Sequence, residues 1–297
     1  MGGPSGSSND DSGVFTIASV LGLTSDADGC LWLRLQDLTI LRYCKGVFER
    51  PSANEEFYTN IEAMSRASGG ELLVWRSEAG AFGFRGGKFE KLASAAELPR
   101  SPVTSLAQTR NGDAYMGTRD AGLFRVTGGQ TLSIRNGLPD LKVNCLLSDG
   151  DRALWVGTDD GIVRWNGNEL TAAGVPASLR QFQALSMVGD RDGNVWVGTD
   201  SRGLLRLNSH GVAPLQVSDR ASPQAVTALF EGREGGLWIG HADGIERLRD
   251  SAFVTYSDAE GLPTGGSNAT SPAVVHALMP RSPRSASPSC ECGRASP

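Results

Sequence analysis

DRDGNVWVGTDSRGLLRLN (190–208) is the stretch on which the fold turns. Asp190, Asp192 and Gly193 are a tight-turn signal, because Asp side chains cap turns and Gly accepts a left-handed backbone. An apolar run centred on Trp196 follows. The same run recurs along the chain as DGCLWL (28–33), GELLVW (70–75), GDAYMGT (112–118), RALWVGT (152–158), GNVWVGT (193–199) and GGLWIG (235–240). The aligned anchors are Trp32, Leu73, Tyr115, Trp155, Trp196 and Trp238, at successive intervals of 41, 42, 40, 41 and 42 residues. A period near forty marks a repeat architecture. In the second copy the Trp stands two places on, at Trp75, on the same strand face.

The fourth copy gives the content of the unit. Val143–Leu147 reads as a first strand, a, and Asp149-Gly150-Asp151 as a turn. Leu154–Gly157 is strand b, Asp159-Asp160-Gly161 a second turn, and Ile162–Trp165 strand c. Asn166-Gly167 is a strong hairpin signal and leads to strand d at Glu169–Ala172. Four short strands per forty residues predict an all-β protein, a β-propeller of four-stranded antiparallel blades, with six recognisable blades and parts of a seventh. Gly13–Ser19 is an additional strand d in front, and Ala273–Leu278 an additional strand a behind.

Recurring residues carry plain structural readings. A calcium loop at Asp26/Asp28/Gly29 or Asp190/Asp192/Gly193 would need later ligands and a closing Glu that are missing, so turn chemistry explains both. One large ring per blade is spread around a circle, so the anchors are core residues and not an aromatic cage. Arg42, Arg125, Arg164, Arg206 and Arg247 recur on strand c, which argues for an inter-blade ion pair or a stem packed between sheets.

DRDGNVWVGTDSRGLLRLN (190–208), DRALWVGTDDGIVRWNG (151–167) and EGREGGLWIGHADGIERL (231–248) closely resemble the bacterial two-component regulator propeller repeat. NGLPDLKVNCLL (136–147) and EGLP (260–263) resemble that family's connection into strand a. The resemblance runs from residue 20 to about 278 and weakens in the first copies, where Gly-Thr after the anchor becomes Arg34-Leu35 and Arg76-Ser77. It implies the ligand-sensing propeller of a membrane receptor. In such receptors the propeller is periplasmic or extracytoplasmic, and a β-sandwich, a membrane helix and a histidine kinase or diguanylate cyclase follow it. The expected role is non-catalytic. Its partner is a small molecule or saccharide, or a partner protein, and the parent receptor is compatible with a dimer. A free-standing scaffold propeller is the alternative. A streptogramin-lyase-like enzyme is a third, although those lyases usually continue Asp-Gly-Asn-x-Trp with Thr-Glu where Thr199 follows Gly198 here.

Composition narrows the chemistry. A net charge of −5, with no basic run inside the repeats, argues against nucleic acid as a partner. Five cysteines at Cys30, Cys44, Cys145, Cys290 and Cys292 match no zinc pattern beyond an isolated Cys-Glu-Cys, and no disulfide framework is expected. No apolar run is long enough for a membrane helix, and no export signal is expected at residues 1–12. That segment is expected to be disordered, the propeller to occupy 13–278, and 279–297 to be a disordered tail. Pro, Ser and Arg supply 12 of the last 18 residues, and this abrupt change suggests a fragment ending after about residue 278.

No nucleophile–base pair, phosphate loop or metal-spaced histidine pair is found, so catalytic residues, metal and cofactors are all expected to be none. The expected ligand or partner face lies on the b–c loops, at Arg119, Asp120, Asp159, Asp160, Asp200, Arg202, His241 and Asp243.

Overall fold

The computed structural model describes residues 20–49, 59–94, 101–127, 130–172, 175, 180–215, 224–232, 235–242, 244–249 and 252–256. These form six four-stranded antiparallel sheets and no helix, arranged as a six-bladed β-propeller. In blade 4 the strands are Val143–Asp149, Ala153–Thr158, Gly161–Trp165 and Leu170–Thr171, close to the sequence expectation. Blade 5 has Ala184–Gly189, Val195–Thr199, Leu204–Asn208 and Gly211–Leu215. Blade 1 has Val20–Ser25, Leu31–Leu35, Ile40–Cys44 and Val47–Glu49. Residues 13–19 and 257–297, where partial seventh-blade strands and a tail are expected, lie outside the described residues.

Blades 1 to 5 are each fastened to the next by the anchor, because a lone sheet cannot bury both faces. Trp32 packs with Ile61, Leu72 and Phe84 of blade 2, its ring edge-on to Phe84 at 5.0 Å. Trp155 reaches Val197 and Leu205 of blade 5, and Trp196 reaches Leu229 and Ile239 of blade 6. Tyr115 packs on Val156 of blade 4 and accepts a hydrogen bond from Trp165 Nε1 at 3.1 Å. All six anchors are at most 8% exposed.

The Gly-Thr pair after the anchor has two separate jobs. Thr118, Thr158 and Thr199 are buried and donate their hydroxyls to the carbonyls of Gly122, Gly161 and Gly203, stapling the b–c turn. The glycine lets the next blade approach. A Cβ on Gly157 would fall 2.5 Å from Cys145 Sγ and 2.9 Å from Ala184 Cβ, and one on Gly198 would fall 2.5 Å from the Val226 carbonyl.

Three expectations need correction. The ion-pair alternative fails for three strand c arginines, since Arg42 binds Asp26, Asp28 and Glu49, Arg125 binds Asp113, and Arg164 binds Asp149, each inside its own blade, while Arg42 also packs over Phe84 of blade 2 at 5.4 Å, as a stem held between sheets does. The reason is register. Trp32, Tyr115, Trp155, Trp196 and Trp238 stand directly opposite Arg42, Arg125, Arg164, Arg206 and Arg247, so both side chains share one face. The guanidinium carbons lie 4.8–5.9 Å from the ring centroids of Trp32, Trp155, Trp196 and Trp238. Second, Ile61 pairs with Arg76 as Val143 pairs with Thr158, so the blade 2 counterpart of Gly-Thr is Trp75-Arg76, one residue earlier than read. Third, Cys30 and Cys44 are joined by a disulfide, their Cα atoms 4.7 Å apart at the open end of the b–c pair of strands.

Candidate functional site

Two surfaces on this frame gather polar groups: the b–c loops around one mouth of the ring, and the central channel. The loops come first. Arg119 and Asp120 are exposed, with the Arg119 amide donating to the Pro102 carbonyl at 3.0 Å. Asp159 takes Lys142 Nζ at 2.9 Å on one oxygen and Asn144 Nδ2 at 2.8 Å on the other. Asp160 is exposed, its amide donating to Thr158 Oγ1. Asp200 accepts the Gln183 amide at 3.1 Å and the Ser201 hydroxyl at 3.0 Å. Arg202 lies over the Phe182 ring at 5.8 Å. His241 is buried, with Nδ1 3.4 Å from the Ala225 carbonyl and Nε2 3.8 Å from Glu246 Oε2. Asp243 lies outside the described residues.

The seven described residues therefore split by their place in the fold. Asp159 and Asp200 tie the b–c loop to the segment entering strand a of the same blade. His241 turns inward. Arg119, Asp120, Asp160 and part of Arg202 face outward, and these can meet a ligand.

The turn aspartates are polar hubs with a structural task. Asp26 Oδ1 accepts the amides of Asp28 and Cys30, while Oδ2 accepts Trp32 Nε1 at 2.9 Å and Arg42 Nε at 2.8 Å. Asp190 repeats the pattern with the amides of Asp192 and Asn194 and with Trp196 Nε1 at 2.7 Å. Burial opposes the Asp190 charge, but hydrogen bonds from Asn194, Trp196 and the turn amides outweigh it and hold the carboxyl below its ordinary value. Asp149 stands at the same place in blade 4, six residues before its anchor, yet it pairs with Ala153 in the ladder and binds Arg164. Trp155 Nε1 is buried without a hydrogen-bond partner among the described residues, beside a crevice of about 410 Å³ between blades 4 and 5.

The channel, about 370 Å³, is lined by the first strands of all six blades. Its walls are mostly hydroxyl and apolar groups, among them Thr24, Ser65, Ser148 and Ser186. Arg34, Glu62 and Arg66 also line it, and sequence reading passed over all three as site residues. The one signal was that Arg34 breaks the repeat where four other copies carry Gly. Among the described residues no group of three or more His, Cys, Asp or Glu could hold a metal ion.

Fold and lining together define a six-bladed β-propeller with a small central channel. Residues 137–160 and 182–201 match the two component regulator propeller family, so blades 4 and 5 carry repeats of that family. No curated protein matches the chain. Among solved structures, the extracellular domain of the one component system BT4673 from B. thetaiotaomicron is similar at a TM-score of 0.63 and 18% identity, over 82% of this chain and 33% of that one. The chain thus spans about a third of the length of that domain. Catalytically inactive virginiamycin B lyase from Staphylococcus aureus, with quinupristin, is similar at 0.63 and 16% identity, over 84% of this chain and 86% of that one. YCF48 bound to D1 peptide gives 0.58 and 15%, over 84% and 85%. At these identities the likeness is one of fold. Among the described residues no helix is long and apolar enough to cross a membrane.

Proposed function

We propose that this chain is the non-catalytic sensing propeller of a bacterial signal-transduction receptor, a two-component histidine kinase or a diguanylate cyclase. It acts on the extracytoplasmic side of the membrane, with its b–c loops as the ligand or partner face. The family match of blades 4 and 5 carries this reading, and the likeness to an extracellular receptor domain supports it. The outward groups at Arg119, Asp120, Asp160 and Arg202 suit a small polar molecule, a saccharide or a partner protein. A thermal-shift screen of small acids, sugars and peptides against the full chain tests the face. A ligand that raises the melting temperature of the native chain should lose that effect in Arg119→Ala/Arg202→Ala. Hits that stabilise both proteins equally would remove the loops from the site.

One observation favours a second reading, a free-standing propeller that scaffolds protein contacts. The chain matches the lyase and YCF48 over most of their length, as a self-contained propeller does. Coding sequence downstream separates the two, since a membrane helix followed by a kinase or cyclase belongs only to the receptor. Incubation with quinupristin, read by mass spectrometry, addresses the lyase alternative, and an intact ring is the expected result.

A further inference from the structure

In blades 3 to 6 one cross-strand pair faces the channel side of the next blade: Ser105–Gly117, Cys145–Gly157, Ser186–Gly198 and Ala228–Gly240. Strand a carries the small side chain and strand b the glycine. Blade 1 inverts the pair, with Gly22 on strand a and Arg34 on strand b. A Cβ on Gly22 would sit 3.6 Å from Arg34 Nε, so the glycine gives the arginine its path toward the channel. Blade 1 thus places a long cation where blades 3 to 6 place glycine and blade 2 places Trp75.

The guanidinium is poorly matched from within. Neither Arg34 nor Arg66 has a carboxylate within ion-pair distance among the described residues, and Arg66 donates to Ser25 Oγ at 3.1 Å. Glu62, the carboxylate on the channel wall, spends one oxygen on the Ser77 hydroxyl and the other on the Val103 amide. Burial pulls Arg34 below the ordinary arginine value, with Glu62 pulling the other way, while guanidinium stays protonated at any physiological pH. Cys145 is neutral, its thiol pushed up to about 12 by burial. The channel wall therefore carries two arginines against one glutamate, in a chain of net charge −5.

We infer that the central channel is an oxyanion site in which Arg34, with Arg66 toward the other mouth, binds a carboxylate, phosphate or sulfate. Guanidinium presents paired donors to such groups, and the Thr and Ser hydroxyls of the wall can supply further ones. Lining by low-dielectric sheets keeps the attraction from being screened as it is at an open surface. This site is separate from the b–c loop face and does not rest on it.

Calorimetric titration of the full chain with sodium phosphate, sodium sulfate and sodium citrate, at one fixed ionic strength, tests the inference. At least one anion should bind saturably at one per chain. Arg34→Met should weaken it about tenfold or more, Arg34→Lys should weaken it less, and Arg119→Ala should leave it unchanged. Citrate alone binding assigns a carboxylate ligand, and phosphate or sulfate binding assigns an inorganic oxyanion. Absence of saturable binding in all three titrations, or equal affinity in Arg34→Met, overturns the site. Should Arg34→Met lose its cooperative melt, Arg66→Met is read by the same criteria. An affinity independent of Arg119 also separates this result from failure of the loop face.

Discussion

Blades 1 and 5 share one skeleton and part at the residues that follow the anchor. Both hang the anchor indole on a turn aspartate, Trp32 on Asp26 and Trp196 on Asp190, and both lay a strand c arginine over the ring. Two residues past the anchor they part: Gly198 lets blade 6 close in, and Arg34 occupies the same place. The comparison separates what every blade must do from what one blade does. The buried anchor and its tight turn recur in every blade, and the Thr staple is added in blades 3, 4 and 5. Departures from them are compensated within the blade, and those are the places where a specific function can enter.

The largest expected effect falls on the shared skeleton. Trp196→Ala removes a ring that is 6% exposed and joins blades 5 and 6, and should cost about 3–5 kcal/mol. At about 2–4 °C per kcal/mol for chains of this size or somewhat smaller, the melting temperature should fall by roughly 6–20 °C. A shift under about 2 °C in a differential scan would place the ring elsewhere.

The glycine pair sharpens the contrast. Gly198→Ala drives a methyl into the Val226 carbonyl and should cost about 1–3 kcal/mol. Gly22→Ala meets nothing closer than Met64 Cε at 3.5 Å and should change stability by less than about 0.5 kcal/mol. Urea unfolding of the two variants side by side reads the difference, and equal costs would contradict the inverted pair.

Much of this architecture was legible beforehand. Anchor spacing located all six blades, and Asn166-Gly167 with the Asp-Gly turns located the hairpins of blade 4 within a residue or two. Blade 2 was misaligned by one place because Leu73 and Trp75 exchange bulk along the strand, so the motif Gly was sought after the wrong residue. The choice between an inter-blade ion pair and a stem packed between sheets stayed open for the strand c arginines because repetition alone does not report register. Only the ladder brings Asp26, six residues before Trp32, under Arg42. Of the eight loop residues, the inward turn of His241 and the bracing bonds of Asp159 and Asp200 depend on neighbours distant in sequence. The channel stayed unread for a related reason: strand a contributes its edge to the ring, and its hydroxyl and small residues carry no motif.

Acid stability should report the turn aspartates. The Asp190 carboxyl titrates below its ordinary value of 3.8, so its stabilisation is present above the unfolded pKa and is lost as pH falls through the folded one. Asp190→Asn should therefore cost about 1–2 kcal/mol at pH 7, where the charged acceptor is fully formed. That gap should narrow steadily below about pH 4, as the native aspartate takes up its proton. Chemical unfolding at pH 7, 4 and 3 measures it, and a gap independent of pH would mean the charge on Asp190 is not what holds Trp196 Nε1.

The smallest effect is the most diagnostic of blade 4. Trp196→Phe breaks a 2.7 Å hydrogen bond to Asp190 Oδ2 and leaves Asn194 Nδ2 as the remaining side-chain donor to that half-buried oxygen. Trp155→Phe removes an indole N–H that has no acceptor, so it loses ring area but no bond. Both variants forfeit similar apolar contact, and the unpaired N–H of Trp155 is itself a cost that the substitution relieves. Trp196→Phe should accordingly be the more damaging by about 1 kcal/mol. Equal losses in paired unfolding curves would mean that the Trp155 indole finds an acceptor in solution, either Asp149 or water in the crevice between blades 4 and 5, and that the two turns bind their indoles alike.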